Sequence, residues 1–266
     1  MKLHHRANPT KRPARLNILA FAAAALTPLI AGAPVGAQAA EIRSLTAVAF
    51  EIVLRDIGSE FERMTGHKIN MTIDLAPNFR RRIDGGETFD VALFSEPTMD
   101  LLVKEGKIKA DTHTRILSAG IGVAVRRGAP KPDIGSVAAF KRALLEAKSI
   151  AYLKEGPSGV YLAGLLQRLG IADQLKAKSK LADTDRVSIM IANGEAELGV
   201  VIVPNILNIP GAELVGPLPQ EIQSTIYFSG GVSATAKQPE AAMQLIRFLK
   251  SPRAIQVIKA KSMSPE

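Results

Sequence analysis

Residues 42–75 read IRSLTAVAFEIVLRDIGSEFERMTGHKINMTIDL, and the spacing of their apolar positions changes twice. Residues 42–49 suit a strand. From Phe50 the spacing turns helical, with Phe50, Val53, Leu54, Ile57 and Phe61 on one face, and Gly66 stands where a helix would stop. Ile69, Met71, Ile73 and Leu75 then alternate with polar neighbours, as in a half-buried strand. Strand, helix and strand in so short a span predict a parallel sheet covered by helices.

The alternation continues outward. A short helix is expected at 79–84, a strand at 90–94 and a helix at 97–105. A compact apolar strand, 121–125, is entered through Ala119-Gly120 and left through a Gly/Pro-rich turn. Helix 137–147, strand 150–153, helix 159–170, strand 180–182, helix 186–192 and strand 198–203 follow. Strand 225–234 contains Gly230-Gly231, and helices 239–249 and 253–261 finish the chain. Taking 121–125 and 225–234 as crossings gives an α/β fold of two lobes with a cleft between them. The first lobe is 40–122 plus 228–266; the second is 123–227. Ligands in such folds sit beyond the carboxyl ends of strands, where helix N-termini converge.

The start of the chain reads as an export signal. Lys2, Arg6, Lys11, Arg12 and Arg15 form a basic leader, residues 16–36 are almost wholly apolar, and Ala37-Gln38-Ala39 has the small-x-small pattern of a cleavage site. Cleavage after Ala39 is expected. The competing reading is a membrane anchor, against which Pro28, Gly32, Pro34 and Gly36 weaken a continuous helix. The chain has a formal charge of +9, and taking away the five leader charges leaves +4 for residues 40–266. With no Trp, three Tyr and scattered basic residues, nucleic acid is not an expected partner. There is no Cys, which excludes disulfides, thiol catalysis, Cys-ligated zinc and lipidation at a processed cysteine. A soluble periplasmic protein is the expectation.

No enzyme motif stands out: there is no His-Glu-x-x-His, Gly-x-Ser-x-Gly, phosphate loop or Ser-x-x-Lys. Past the leader only His67 and His113 remain, and both read as surface residues without a catalytic partner. Asp183 and Asp185 lack the glycine and distal glutamate of a calcium loop and read as helix caps ahead of Arg186. No metal, no cofactor and no catalytic residue are expected.

What remains is anion binding by backbone N–H groups at helix N-termini. Gly156-Pro157-Ser158-Gly159-Val160-Tyr161 is the strongest candidate, with Ser158 as a cap and Gly159 allowing close approach, although plain capping explains Ser158 as well. Leu75-Ala76-Pro77-Asn78 leads into Phe79-Arg80-Arg81-Arg82, where Asn78 is the expected cap and Arg80 or Arg81 the better-placed ligand arginine. Ala49 and Phe50, at the end of the first strand, offer backbone donors. Ile202 lies in the apolar stretch 200–205 of the second lobe, most of which reads as core.

These landmarks resemble the molybdate-type periplasmic binding proteins of the type II solute-binding fold. The resemblance rests on Phe61-Glu62-Arg63-Met64-Thr65-Gly66, Arg82-Ile83-Asp84-Gly85-Gly86, Phe89-Asp90-Val91-Ala92, residues 120–126 with 128–133, Ser158-Gly159-Val160-Tyr161, and residues 193–199. It implies an import receptor, expected as a monomer, that carries a small oxyanion such as molybdate to the permease of an ABC importer, with hydroxyls and backbone N–H groups as ligands. The candidate set is then Ala49, Phe50, Asn78, Arg80, Ser158, Gly159, Tyr161 and Ile202. This chain departs from the family at Ala49, Pro77-Asn78, Val201 and Ile202, where members carry hydroxyl or polar groups. Each lost hydroxyl removes roughly 1.5–3 kcal/mol of bonding to a charged ligand. Losing two weakens a tetraoxyanion site by about two to four decades. A small organic carboxylate is the alternative ligand. A regulator's ligand-sensing domain, disfavoured by the leader, and an exported enzyme are the rival classes.

Overall fold

The structure, a computed structural model, describes residues 39–183 and 186–266; nearly all of the expected leader and Asp185 lie outside them. The first lobe opens with β1 (Glu41–Thr46), α1 (Val48–Thr65), β2 (Lys68–Ile73), α2 (Ala76–Asp84), β3 (Val91–Ser95) and α3 (Glu96–Lys104). A long strand, β4 (Thr114–Arg126), leads out of it. Then come α4 (Val137–Glu146), β5 (Ile150–Leu153), α5 (Pro157–Arg168), α6 (Ala172–Lys176), β6 (Ser179–Ala182), α7 (Val187–Ala192), β7 (Leu198–Ile202), α8 (Val203–Leu207) and β8 (Ala212–Pro217). The chain returns through β9 (Thr225–Val232) and ends with α9 (Pro239–Leu249), α10 (Pro252–Ala260) and the two-residue β10 (Ser264–Pro265).

Strands joined by helices pair in parallel: β1 with β2 and β3, and β5 with β6 and β7. The crossing strands run antiparallel to their neighbours, so the order is β2-β1-β3-β9-β4 on one side and β4-β7-β5-β6 on the other. The change of partner falls within β4. Residues up to Gly120 pair with β9, and from Ile121 onward they pair with β7 and β8. The expected crossing at 121–125 is thus the second half of a strand of 13 residues. β9 stays in the first sheet throughout, and residues 218–224 carry the chain back.

Local signals explain most elements. Gly66 ends α1 in the left-handed region (φ 76°), its N–H donating to Glu62 O at 2.9 Å. β3 is buried at all five positions, as a strand covered on both faces must be. Phe50 packs edge-on against Phe228 at 6.3 Å, and Phe79 meets Phe94 at 5.1 Å beneath α2 and α3. Asp90 is buried yet satisfied, its two oxygens accepting from the backbone N–H groups of Arg43, Lys237 and Gln238. That wiring makes it a structural carboxylate.

Several expectations need correction. His67 is buried rather than exposed, with Nδ1 accepting from Ala40 N at 3.1 Å. Asp183 caps nothing: α7 starts after Arg186, and Asp183 is exposed and 3.4 Å from Lys154 Nζ. β8 and α6 were not foreseen, because their short apolar runs carry too few periods to register.

Candidate functional site

Two adjoining cavities open between the sheets, sharing Ala76, Phe94, Ser95, Gly156, Pro157 and Ile226 in their walls. The smaller, about 60 Å³, is bounded by Ala47, Val48 and Ala49 at the start of α1, Asp74 and Leu75 ahead of α2, Ser158 in α5, and Ile202 and Asn205 at α8. The larger, about 720 Å³, is walled mainly by apolar side chains, among them Ile83, Leu101, Leu102, Val160, Tyr161 and Tyr227.

The starts of α1 and α5 face the small cavity from opposite lobes, and neither has a side-chain cap. The cap position of α1 is Ala47, which has no side-chain acceptor to offer. Phe50 N and Glu51 N already donate to Ala47 O, so the unsatisfied amides of that turn are Val48 and Ala49. The cap position of α5 is Gly156 (φ 99°), and Val160 N donates to its carbonyl, leaving Ser158 and Gly159. Free amides and the positive ends of two helices are what an anion requires.

The expected site residues divide. Ala49, Ser158 and Ile202 line the small cavity; Arg80 and Tyr161 line the large one. Phe50 does neither: it is fully buried and its N–H is spent in the helix. Asn78 is not a cap. The helix starts at Ala76, and the Asn78 side chain donates to Asp74 Oδ1 and accepts from Arg81. Ser158 is the second residue of its helix and not the cap, with its hydroxyl beside the small cavity. Gly159 allows close approach to protein, not ligand: a Cβ there would lie 2.0 Å from Leu153 O.

Arg80 is already paired, with Asp84 at 2.9 Å and Glu105 at 2.8 Å. Those two carboxylates, Asp84 foremost, hold its guanidinium above its ordinary pKa. Tyr161 donates its hydroxyl to Ile222 O at 2.8 Å, so only its ring faces the cleft.

Asp74, Ser95, Glu96 and Asn205 also line the cleft and were not singled out. Asp74 and Ser95 stand at carboxyl ends of strands, a position that would have pointed to them. Burial pushes the Glu96 carboxyl up, but the Ser229 hydroxyl and Arg115 (2.9 Å) together hold it below the usual carboxylate range. His113, expected as a surface residue, is mostly buried with Nε2 3.6 Å from Glu96. Glu96, Asp100 and His113 place ligand atoms within 4.8 Å of one another. Both Glu96 oxygens already accept a bond, one from Arg115 and one from the Ser229 hydroxyl.

The family described as bacterial extracellular solute-binding protein matches residues 42–263, and the chain belongs to it. A protein named aconitate isomerase, from a Pseudomonas species, is 32% identical over 94% of this chain and 97% of its own length. The molybdate-binding protein ModA of Azotobacter vinelandii is 31% identical over 84% of this chain and 90% of its own. The solved periplasmic molybdate-binding protein of Azotobacter vinelandii superposes with a TM-score of 0.71 at 20% identity, over 84% of this chain and 98% of that one. The chain is thus a molybdate-type member of the two-lobed type II fold. No helix among the described residues is long and apolar enough to cross a membrane.

Proposed function

We propose that this chain is the receptor of an ABC importer, working outside the cytoplasm after loss of residues 1–39. It captures a small anion between its lobes and delivers it, as a monomer, to the permease. The observation that carries this reading is the pair of uncapped helix starts, α1 and α5, facing one cavity from opposite lobes. An anion bound there touches both lobes at once and so favours their closed arrangement. Calorimetric titration with molybdate, sulfate and acetate tests it. Binding of an anion supports the reading, and no heat or thermal stabilisation with any anion sinks it.

Between the two expected ligands, the walls favour the organic one. Ser158 is the one hydroxyl of the candidate set beside the small cavity, while Asp74 adds a carboxylate that opposes a dianion.

A second reading follows from the relative named aconitate isomerase: the same cleft turns over an organic acid. Asp74 is the base nearest to hand, lining the small cavity. Proton NMR of aconitate incubated with the protein in D2O tests this. Isomerisation or exchange of carbon-bound protons would make the protein an enzyme, and unchanged spectra would leave it a receptor.

A further inference from the structure

The small cavity accounts for an anionic head, but the adjoining 720 Å³ has a different character. A five-atom tetraoxyanion has no use for it, since volumes of roughly 300–1,000 Å³ are those that enclose larger organic ligands. Its walls include Phe94, Leu102, Ile226 and Tyr227. Two further side chains stand out against the fold: Leu101 is 53% exposed and Val160 65% exposed, and both line this cavity, from α3 and α5 respectively. Apolar side chains left uncovered on both lobes beside one cleft mark a surface that a ligand's apolar part completes.

Charge narrows the ligand further. Among the described residues, Arg80 is the one cation lining either cavity, and it is held by Asp84 and Glu105. The acidic lining groups are Asp74 in the small cavity and Glu96 in the large one, and Glu96 alone has a cationic partner, Arg115. A second or third carboxylate on the ligand would lie among acidic groups with no free cation to receive it.

We infer that the ligand is a monocarboxylate with a sizeable apolar body, aryl or branched alkyl. Its carboxylate lies at the amides of α1 and α5, and its body fills the large cavity between Leu101 and Val160. This inference rests on the anion-receptor reading and deepens it.

The test is a calorimetric and thermal-shift series on the purified protein with acetate, 4-methylpentanoate, phenylacetate, tricarballylate (a saturated tricarboxylate) and molybdate. Phenylacetate or 4-methylpentanoate should bind at least about tenfold more tightly than acetate, the gain coming from buried apolar surface. Val160→Asp, at a position 65% exposed, should collapse that ratio toward one, with the melting temperature of the free variant checking that it folds. If acetate matches the larger acids, or if tricarballylate or molybdate binds most tightly, the ligand class is wrong while the anion receptor stands. If no anion of any kind binds, the underlying reading fails instead.

Discussion

Gln223 grips the backbone of Ile121 with both ends of its side-chain amide: Nε2 donates to Ile121 O at 2.9 Å, and Oε1 accepts from Ile121 N at 3.0 Å. Ile121 is where β4 leaves β9, whose pairing ends at Gly120 with Thr225. At that step one edge of β4 loses a strand, and the Gln223 side chain takes the strand's place. The same Oε1 accepts from Ser224 N at 2.9 Å, which ties the return segment to the crossing. A side chain acting as a strand ties the two sheets together here, and this is where the proposed closure of the lobes would turn.

Gln223→Leu should therefore leave Ile121 N without an acceptor in a buried place. The expected cost is about 1–3 kcal/mol, read as a lower midpoint in urea unfolding. Small-angle scattering should also show less compaction on adding ligand than in the unchanged protein. A variant with normal stability and normal compaction would remove Gln223 from the joint.

Ser158→Ala separates binding from folding. The hydroxyl caps no helix and lies beside the small cavity, so the melting temperature of the free protein should hardly move. Affinity for the anion should fall by about 1–3 kcal/mol, roughly 5- to 150-fold. An unaltered dissociation constant would leave the backbone amides alone as the anion's ligands.

The strand and helix order was legible because long periodic runs such as 50–64 and 68–75 admit one reading each. The site was legible only in its positions. Ala49, Ser158 and Ile202 stand at strand ends or helix starts, and topology alone brought them together. Side-chain roles were not, since they depend on partners distant in sequence. Nothing near Arg80 in the chain announces Glu105, and nothing near Gly159 shows that Leu153 O will lie against it. A turn such as Ser-Gly reads alike whether its glycine faces a ligand or a strand.

Gly159→Ala is accordingly expected to harm the fold before it harms binding. The added methyl would lie 2.0 Å from Leu153 O and 2.7 Å from its carbonyl carbon, backbone atoms that cannot rotate away. α5 would have to lift from β5, at an expected cost of about 1–3 kcal/mol or more. Thermal melting checks it. A melting temperature equal to that of the unchanged protein would mean that α5 and β5 can separate at no cost.

Glu96 links the cleft to acid stability. Its carboxyl is held below the ordinary value of 4.5 against the opposing effect of burial, chiefly by the Ser229 hydroxyl and Arg115. A group whose folded pKa is depressed contributes stability that is present above its unfolded pKa and is lost as pH falls through the folded one. The contribution is therefore full at neutral pH and fades below about pH 4.5. Ser229→Ala removes one of the bonds to the charged form and lets burial raise the carboxyl's pKa. The variant should be about 1–3 kcal/mol less stable at pH 7. The deficit should shrink once Glu96 is protonated in both proteins, so the variant should lose less stability than the unchanged protein as pH falls through the acidic range. Melting temperatures of both proteins across the acidic range measure this. A deficit that stays constant with pH would mean that Ser229 acts through packing and not through the Glu96 charge.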